Sequence, residues 1–79
     1  MIKIYTRPGC AYCPTVKRIC DSKGAKYQEL PAEGPEYEAA SKGYGYNVPL
    51  VTNGKTTMMG LNMGTLAQII SEDQEGDNG

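Results

Sequence analysis

The chain has 79 residues, 39% of them hydrophobic, a net charge of −1 and no histidine, tryptophan or phenylalanine. That length admits one domain with a core near the lower limit of self-sufficiency, assembled from Ile, Leu, Val, Met, Ala and Tyr. No apolar run approaches a membrane span and no signal-peptide core follows Met1, so a soluble protein of a reducing cytoplasm is expected, without membrane association.

Ile2 and Ile4 alternate with Lys3 and Tyr5, the period of a short half-buried strand. Thr6-Arg7-Pro8-Gly9 reads as a turn, and Cys10 follows it at the predicted start of a helix. From Cys13 the apolar positions Val16, Ile19 and Cys20 keep helical spacing, and Gly24 is a suitable stop. Pro14 fits only in the first turn, where its missing N–H does no harm. Lys26 to Leu30 reads as a second strand, Pro31 to Gly34 as a loop, and Pro35 to Ala40 as a second helix ending before Gly43. Two strands joined through a helix suggest a right-handed parallel crossover.

Asn53-Gly54 is a strong hairpin signal, predicting Leu50–Thr52 paired antiparallel with Lys55–Met59. A last helix is expected over about Met63 to Ser71, with Leu66, Ile69 and Ile70 on one face. The order is β-α-β-α-β-β-α, with a domain over residues 1–72 and an acidic, disordered tail expected over 73–79.

Charge is divided along the chain. Up to Lys26 stand six basic residues (Lys3, Arg7, Lys17, Arg18, Lys23, Lys26) and one acid, Asp21; from Tyr27 onward stand two basic residues and eight acids. No basic helix with base-reading side chains accompanies the basic segment, so nucleic acid is not an expected partner. The lysines read either as solvated surface or as a positive field around the thiols, favouring thiolates and anionic partners.

Every cysteine lies in "CAYCPTVKRIC", Cys10 to Cys20. A disulfide between Cys10 and Cys13 closes so short a loop that it constrains the unfolded chain little, which makes it a poor staple. As a metal site one Cys-x-x-Cys is half a ligand set, with no histidine to complete it and Cys20 predicted on the inner face of the helix. Thiol exchange fits better. Unpaired amides and the helix dipole at a helix start favour a thiolate at Cys10, which attacks a substrate disulfide, and Cys13 then resolves the mixed disulfide. Cys20 reads as a small buried hydrophobe.

The segment "IYTRPGCAYCPTVK" resembles the strand, turn and active-site helix of glutaredoxins. "NVPLVTNGK" is similar to that family's Thr-Val-Pro strand and Asn-Gly-Lys hairpin, and "MMGLNMGTLAQI" falls where the family opens its last helix. The resemblance implies an α/β, thioredoxin-like fold with a four-stranded mixed sheet and helices on both faces. It implies a cis Val48–Pro49 peptide beside Cys10, whose Val48 backbone pairs with glutathione or an extended substrate. Arg7 stands at the basic position expected to meet a glutathione carboxylate, and Tyr12 inside the active-site dipeptide. Gly60 and Asn62 stand in the turn that opens the last helix, where the family grips glutathione. Met59 replaces the first glycine of that turn, and Met63 brings no charge there.

"GYGYNVPLV" and the single glycine before the last helix also resemble the glutaredoxin-like redoxins that serve ribonucleotide reductase, although Met58-Met59-Gly60-Leu61 departs from their Trp-Ser-Gly-Phe signature. The expected protein is thus a monomeric dithiol–disulfide oxidoreductase with no bound cofactor. Glutathione, or thioredoxin reductase, supplies its electrons, and disulfide-containing proteins such as ribonucleotide reductase receive them. The alternative from another class is a metal or iron–sulfur module shared by two chains through these cysteines.

Overall fold

The computed structural model describes residues 1–43 and 48–78. In chain order the elements are β1 (Ile2–Thr6), α1 (Cys13–Ser22), β2 (Tyr27–Pro31), α2 (Gly34–Ser41), β3 (Leu50–Thr52), β4 (Thr57–Met59) and α3 (Met63–Asn78). The four-stranded sheet is ordered β2-β1-β3-β4. β1 pairs parallel with β2, as the crossover requires, and antiparallel with β3, which pairs antiparallel with β4. This is the mixed sheet of the thioredoxin-like fold. Residues 44–47, the centre of the Gly43–Val51 motif, lie outside the described residues.

Strand alternation assigns each side chain to one of two cores. On one face Ile2, Ile4, Val51 and Met58 meet Val16 and Cys20 of α1 and Leu66, Ile69 and Ile70 of α3. On the other, Tyr5 and Leu50 meet Ala32 and Tyr37, the latter from α2. β1 is therefore buried on both faces rather than half-buried: Tyr5 is 2% exposed, its ring centroid 5.6 Å from that of Tyr37. A tyrosine ring supplies enough apolar area to be covered while its hydroxyl reaches the edge.

α1 ends as its sequence predicts. Gly24, at φ +70°, donates its N–H to Asp21, and Ala25 donates to the Cys20 carbonyl, so a left-handed glycine satisfies the last turn. β2 and α2 differ from expectation by a residue or so at their ends. The hairpin differs more. β4 begins at Thr57, not Lys55, because the Asn53 side-chain oxygen accepts the N–H groups of Lys55 and Thr56, both at 2.8 Å. These amides are thereby withdrawn from the ladder, and the turn spans four residues.

α3 does not stop near Ser71, and the residues expected as a tail from 73 onward continue the helix to Asn78. The reason is long-range. Glu72 accepts hydrogen bonds from Asn53 (3.0 Å), Thr56 (2.7 Å) and Gln68 (3.1 Å), while Asp73 pairs with the Met1 ammonium at 2.7 Å. Gln74 donates to the Lys23 carbonyl at 3.1 Å, bridging α3 to the end of α1.

The bonds to Glu72 hold its carboxyl at about 2, below the ordinary 4.5, the Asn53 amide contributing most. A lowered carboxyl pKa stabilises the fold above the ordinary value, and that contribution disappears as pH falls from about 4.5 towards about 2. Glu72→Gln should lower Tm much more at pH 7 than at pH 2; an equal loss at the two pH values would show that the charge is not what matters. Cys20, fully buried, has its thiol pushed up by burial and then by Asp21. Iodoacetamide at pH 8 should label Cys20 only after denaturation, as read by mass spectrometry, whereas native labelling as fast as that of reduced Cys10 would contradict its burial.

Candidate active site

One end of the sheet gathers the predicted site. Tyr5 faces Leu50 and Leu50 faces Met59 across antiparallel pairs. The chain therefore leaves β1 into the cysteine turn, enters β3 from Val48–Pro49, and leaves β4 into Gly60–Asn62, all at the same edge. Gly60, at φ +76°, donates its N–H to the Pro49 carbonyl at 2.9 Å, tying the last two loops together. The Val48–Pro49 peptide is cis, with Pro49 buried and Val48 half-buried.

Cys10 and Cys13 form a disulfide with a Cα–Cα separation of 5.6 Å. Their placement corrects the expectation that Cys10 begins the helix. α1 starts at Cys13, Tyr12 is its N-cap, and Cys10 belongs to a tight turn in which its N–H donates to the Arg7 carbonyl at 3.2 Å. Gly9, at φ +85°, makes that turn possible. Pro14 sets where the helix can begin, since its ring is tolerated only in the first turn.

The first intrahelical bond of α1 runs from the Val16 N–H to the Tyr12 carbonyl. Tyr12 makes no side-chain cap, so the first-turn amides of Cys13 and Thr15 have no helical partner, and the helix dipole adds partial positive charge there. The two sulfurs are unequal. Cys13 is 4% exposed and belongs to the core side, whereas Cys10 is half-buried and reachable. An open sulfur beside a helix start, linked to a sheltered one, can accept and release two electrons by opening and closing a single bond.

The other predicted positions separate. Tyr12, between the cysteines, is 54% exposed. Arg7 is exposed and lies with its guanidinium carbon 5.7 Å from the Tyr37 ring centroid, a cation–π placement that joins the turn to α2. Asn62 caps α3: its side-chain oxygen accepts the Thr65 N–H at 3.1 Å, and its own N–H donates to the Met58 sulfur at 3.4 Å. Of the basic side chains that read either as solvated surface or as a positive field around the thiols, Lys3 pairs with Glu36 and Lys17 with Glu29 from the acidic half of the chain.

Tyr37 is the residue that the sequence reading passed over; the one hint was a lone aromatic in an Ala/Glu-rich helix. Among the described residues no group of three or more His, Cys, Asp or Glu side chains could hold a metal ion. No described helix is long and apolar enough to cross a membrane.

Comparison with known proteins agrees with this geometry. The glutaredoxin family model matches residues 2–56. Glutaredoxin 3 of Escherichia coli strain K12 is 46% identical over 33 residues, a match covering 42% of this chain and 40% of that protein's length. Among solved structures, the thioredoxin-like protein BC3987, determined as a point mutant, superposes with a TM-score of 0.67 at 22% identity over 87% of this chain and 97% of its own; it shows the fold. A glutaredoxin from Brucella melitensis superposes with a TM-score of 0.60 at 30% identity, covering 96% of this chain and 84% of its own. The chain belongs to the glutaredoxin family, a family of thiol–disulfide oxidoreductases.

Proposed function

We propose that the protein is a dithiol–disulfide oxidoreductase of a reducing cytoplasm, acting on protein disulfides or glutathione mixed disulfides. The observation that carries this reading is the unequal pair at the start of α1: reachable Cys10 bonded to sheltered Cys13. The bonded pair is the oxidised half of the cycle.

In the reduced half, the Cys10 thiolate attacks one sulfur of the substrate disulfide. That bond breaks, a Cys10–substrate disulfide forms, and the departing thiolate takes a proton from water. Cys13 then loses its proton and attacks the Cys10 sulfur, closing Cys10–Cys13 and releasing the second substrate sulfur, which is protonated in turn. Two electrons have passed to the substrate. Two glutathione thiols, becoming glutathione disulfide, restore the pair; a flavoprotein thioredoxin reductase is the other donor that the sequence admits. Ribonucleotide reductase, an enzyme whose turnover leaves a disulfide, is the acceptor proposed from the family resemblance.

Supporting the binding part of this reading, the Val48–Pro49 segment lies next to the end of β1, and Arg7 supplies an exposed cation. Cys13→Ser should accumulate a Cys10–substrate mixed disulfide, visible by mass spectrometry, while Cys10→Ser should form no adduct and turn nothing over. Normal substrate release by the Cys13→Ser protein would remove the resolving step. Side-by-side turnover with glutathione plus its reductase, and with thioredoxin reductase, identifies the electron donor.

A further inference from the structure

An arginine carries its charge at the end of a long stem with many rotamers, and an anion that binds it normally has to order that stem first. Arg7, on the turn that leads into the disulfide, is exposed yet held at both ends before any ligand arrives. Its carbonyl accepts the Cys10 N–H at 3.2 Å, which fixes its backbone to the residue bearing the reachable sulfur. Its guanidinium carbon lies over the Tyr37 ring, 5.7 Å from the centroid.

That ring is a firm support. Tyr37 is 2% exposed and shares a core with Tyr5, Ala32 and Leu50, its plane tilted by 56° from that of Tyr5. The Ala32 N–H donates to the Thr6 carbonyl at 2.9 Å, so the same core is pinned to the residue before Arg7. Close packing on every side leaves the ring little room to turn away.

The kind of contact decides what Arg7 can still do. Lys3 and Lys17 are held by the carboxylates of Glu36 and Glu29, which neutralise them. Among the described residues no carboxylate pairs with Arg7. A ring attracts a guanidinium while leaving its charge intact, and it takes none of the strong hydrogen bonds that a carboxylate would accept. The guanidinium is thus steadied with donors open to an anion.

We propose that Tyr37 is a positioning residue: it holds the Arg7 guanidinium in place for a carboxylate of the substrate, and it acts on the reaction only through that arginine. The proposal rests on the oxidoreductase reading above, with Arg7 meeting a substrate carboxylate, and adds the residue that sets the arginine.

The test uses the full chain, reduced beforehand, in single-turnover reactions quenched with acid. Two substrates are compared: glutathione disulfide, which carries carboxylates, and bis(2-hydroxyethyl) disulfide, which carries no charge. Tyr37→Leu should slow the reaction with glutathione disulfide about threefold, the scale of an exposed cation–π contact, and leave that with the neutral disulfide unchanged. Tyr37→Phe, which keeps the ring, should retain the original rates. Arg7→Ala should slow the glutathione reaction by about tenfold, and adding Tyr37→Leu to it should slow the reaction no further. In the unaltered protein, with its core untouched, NMR should show the Arg7 side-chain protons displaced by the ring current of Tyr37. Equal slowing with both disulfides, independent losses in the double variant, or undisplaced Arg7 protons would overturn the positioning role while leaving the oxidoreductase reading in place. Failure of the unaltered protein to reduce either disulfide would overturn that reading and this proposal with it.

Discussion

The antiparallel pairing of β1 with β3 is the constraint from which the site follows. Lys3 opposite Thr52, Ile4 opposite Val51 and Tyr5 opposite Leu50 fix the register, and a slip of one residue would send every one of these side chains to the wrong face. With the register set, the end of β1 and the beginning of β3 lie side by side. The turn carrying Cys10 and the loop carrying Pro49 then become neighbours, although those two residues stand 39 positions apart in the sequence. Parallel β2 on the other side of β1 forces the intervening chain to cross over as α1, whose start must fall at that same edge. The reactive pair stands at a helix N-terminus because of strand order.

Folding also redistributes the charge that the sequence separates. Lys3 reaches Glu36 across to α2, and Lys17 reaches Glu29 from α1 to β2, so basic and acidic halves of the chain are joined in space. Exposed pairs of this kind contribute little to stability. They leave two of the six basic side chains in the first 26 residues neutralised by acids, while the open amides of α1 stand at Cys13 itself. Arg7, stacked on Tyr37, is the basic side chain of the cysteine turn itself.

Much of this architecture was legible because the signals were local. The alternation at Ile2–Tyr5, the spacing of Val16 and Cys20, Pro14 in a first turn and Gly24 after a last one each act within a few residues, and each element lies where they place it. The misplaced strand and helix ends have two causes, a side chain within the turn itself and partners distant in sequence. Lys55 and Thr56 carry strand-like neighbours but lose their amides to Asn53, and α3 continues past Ser71 because Asn53, Thr56 and Lys23 receive its side chains. At the site, the Cys-x-x-Cys spacing was sufficient to pick out Cys10 and Cys13. The roles of Asn62 as a cap and of Tyr37 beneath Arg7 required the fold, since neither residue differs in type from many that do nothing of the kind.

Asn53 saturates its side chain: two N–H donations, to the Ile69 carbonyl and to Glu72, and two amides accepted at its oxygen. It also precedes Gly54, the neighbour whose unhindered backbone nitrogen most readily closes on an asparagine amide and expels ammonia. In the folded chain the Gly54 N–H is turned to the Thr52 hydroxyl, and the amide under threat is clamped from four directions. Were that ageing reaction to occur, an aspartate would replace two donors with a negative oxygen facing the Glu72 carboxylate, and the hairpin would be pushed from the helix that it anchors. The native state thus shields from chemical decay the very amide on which its own closure relies, and time spent unfolded becomes damage that refolding does not erase.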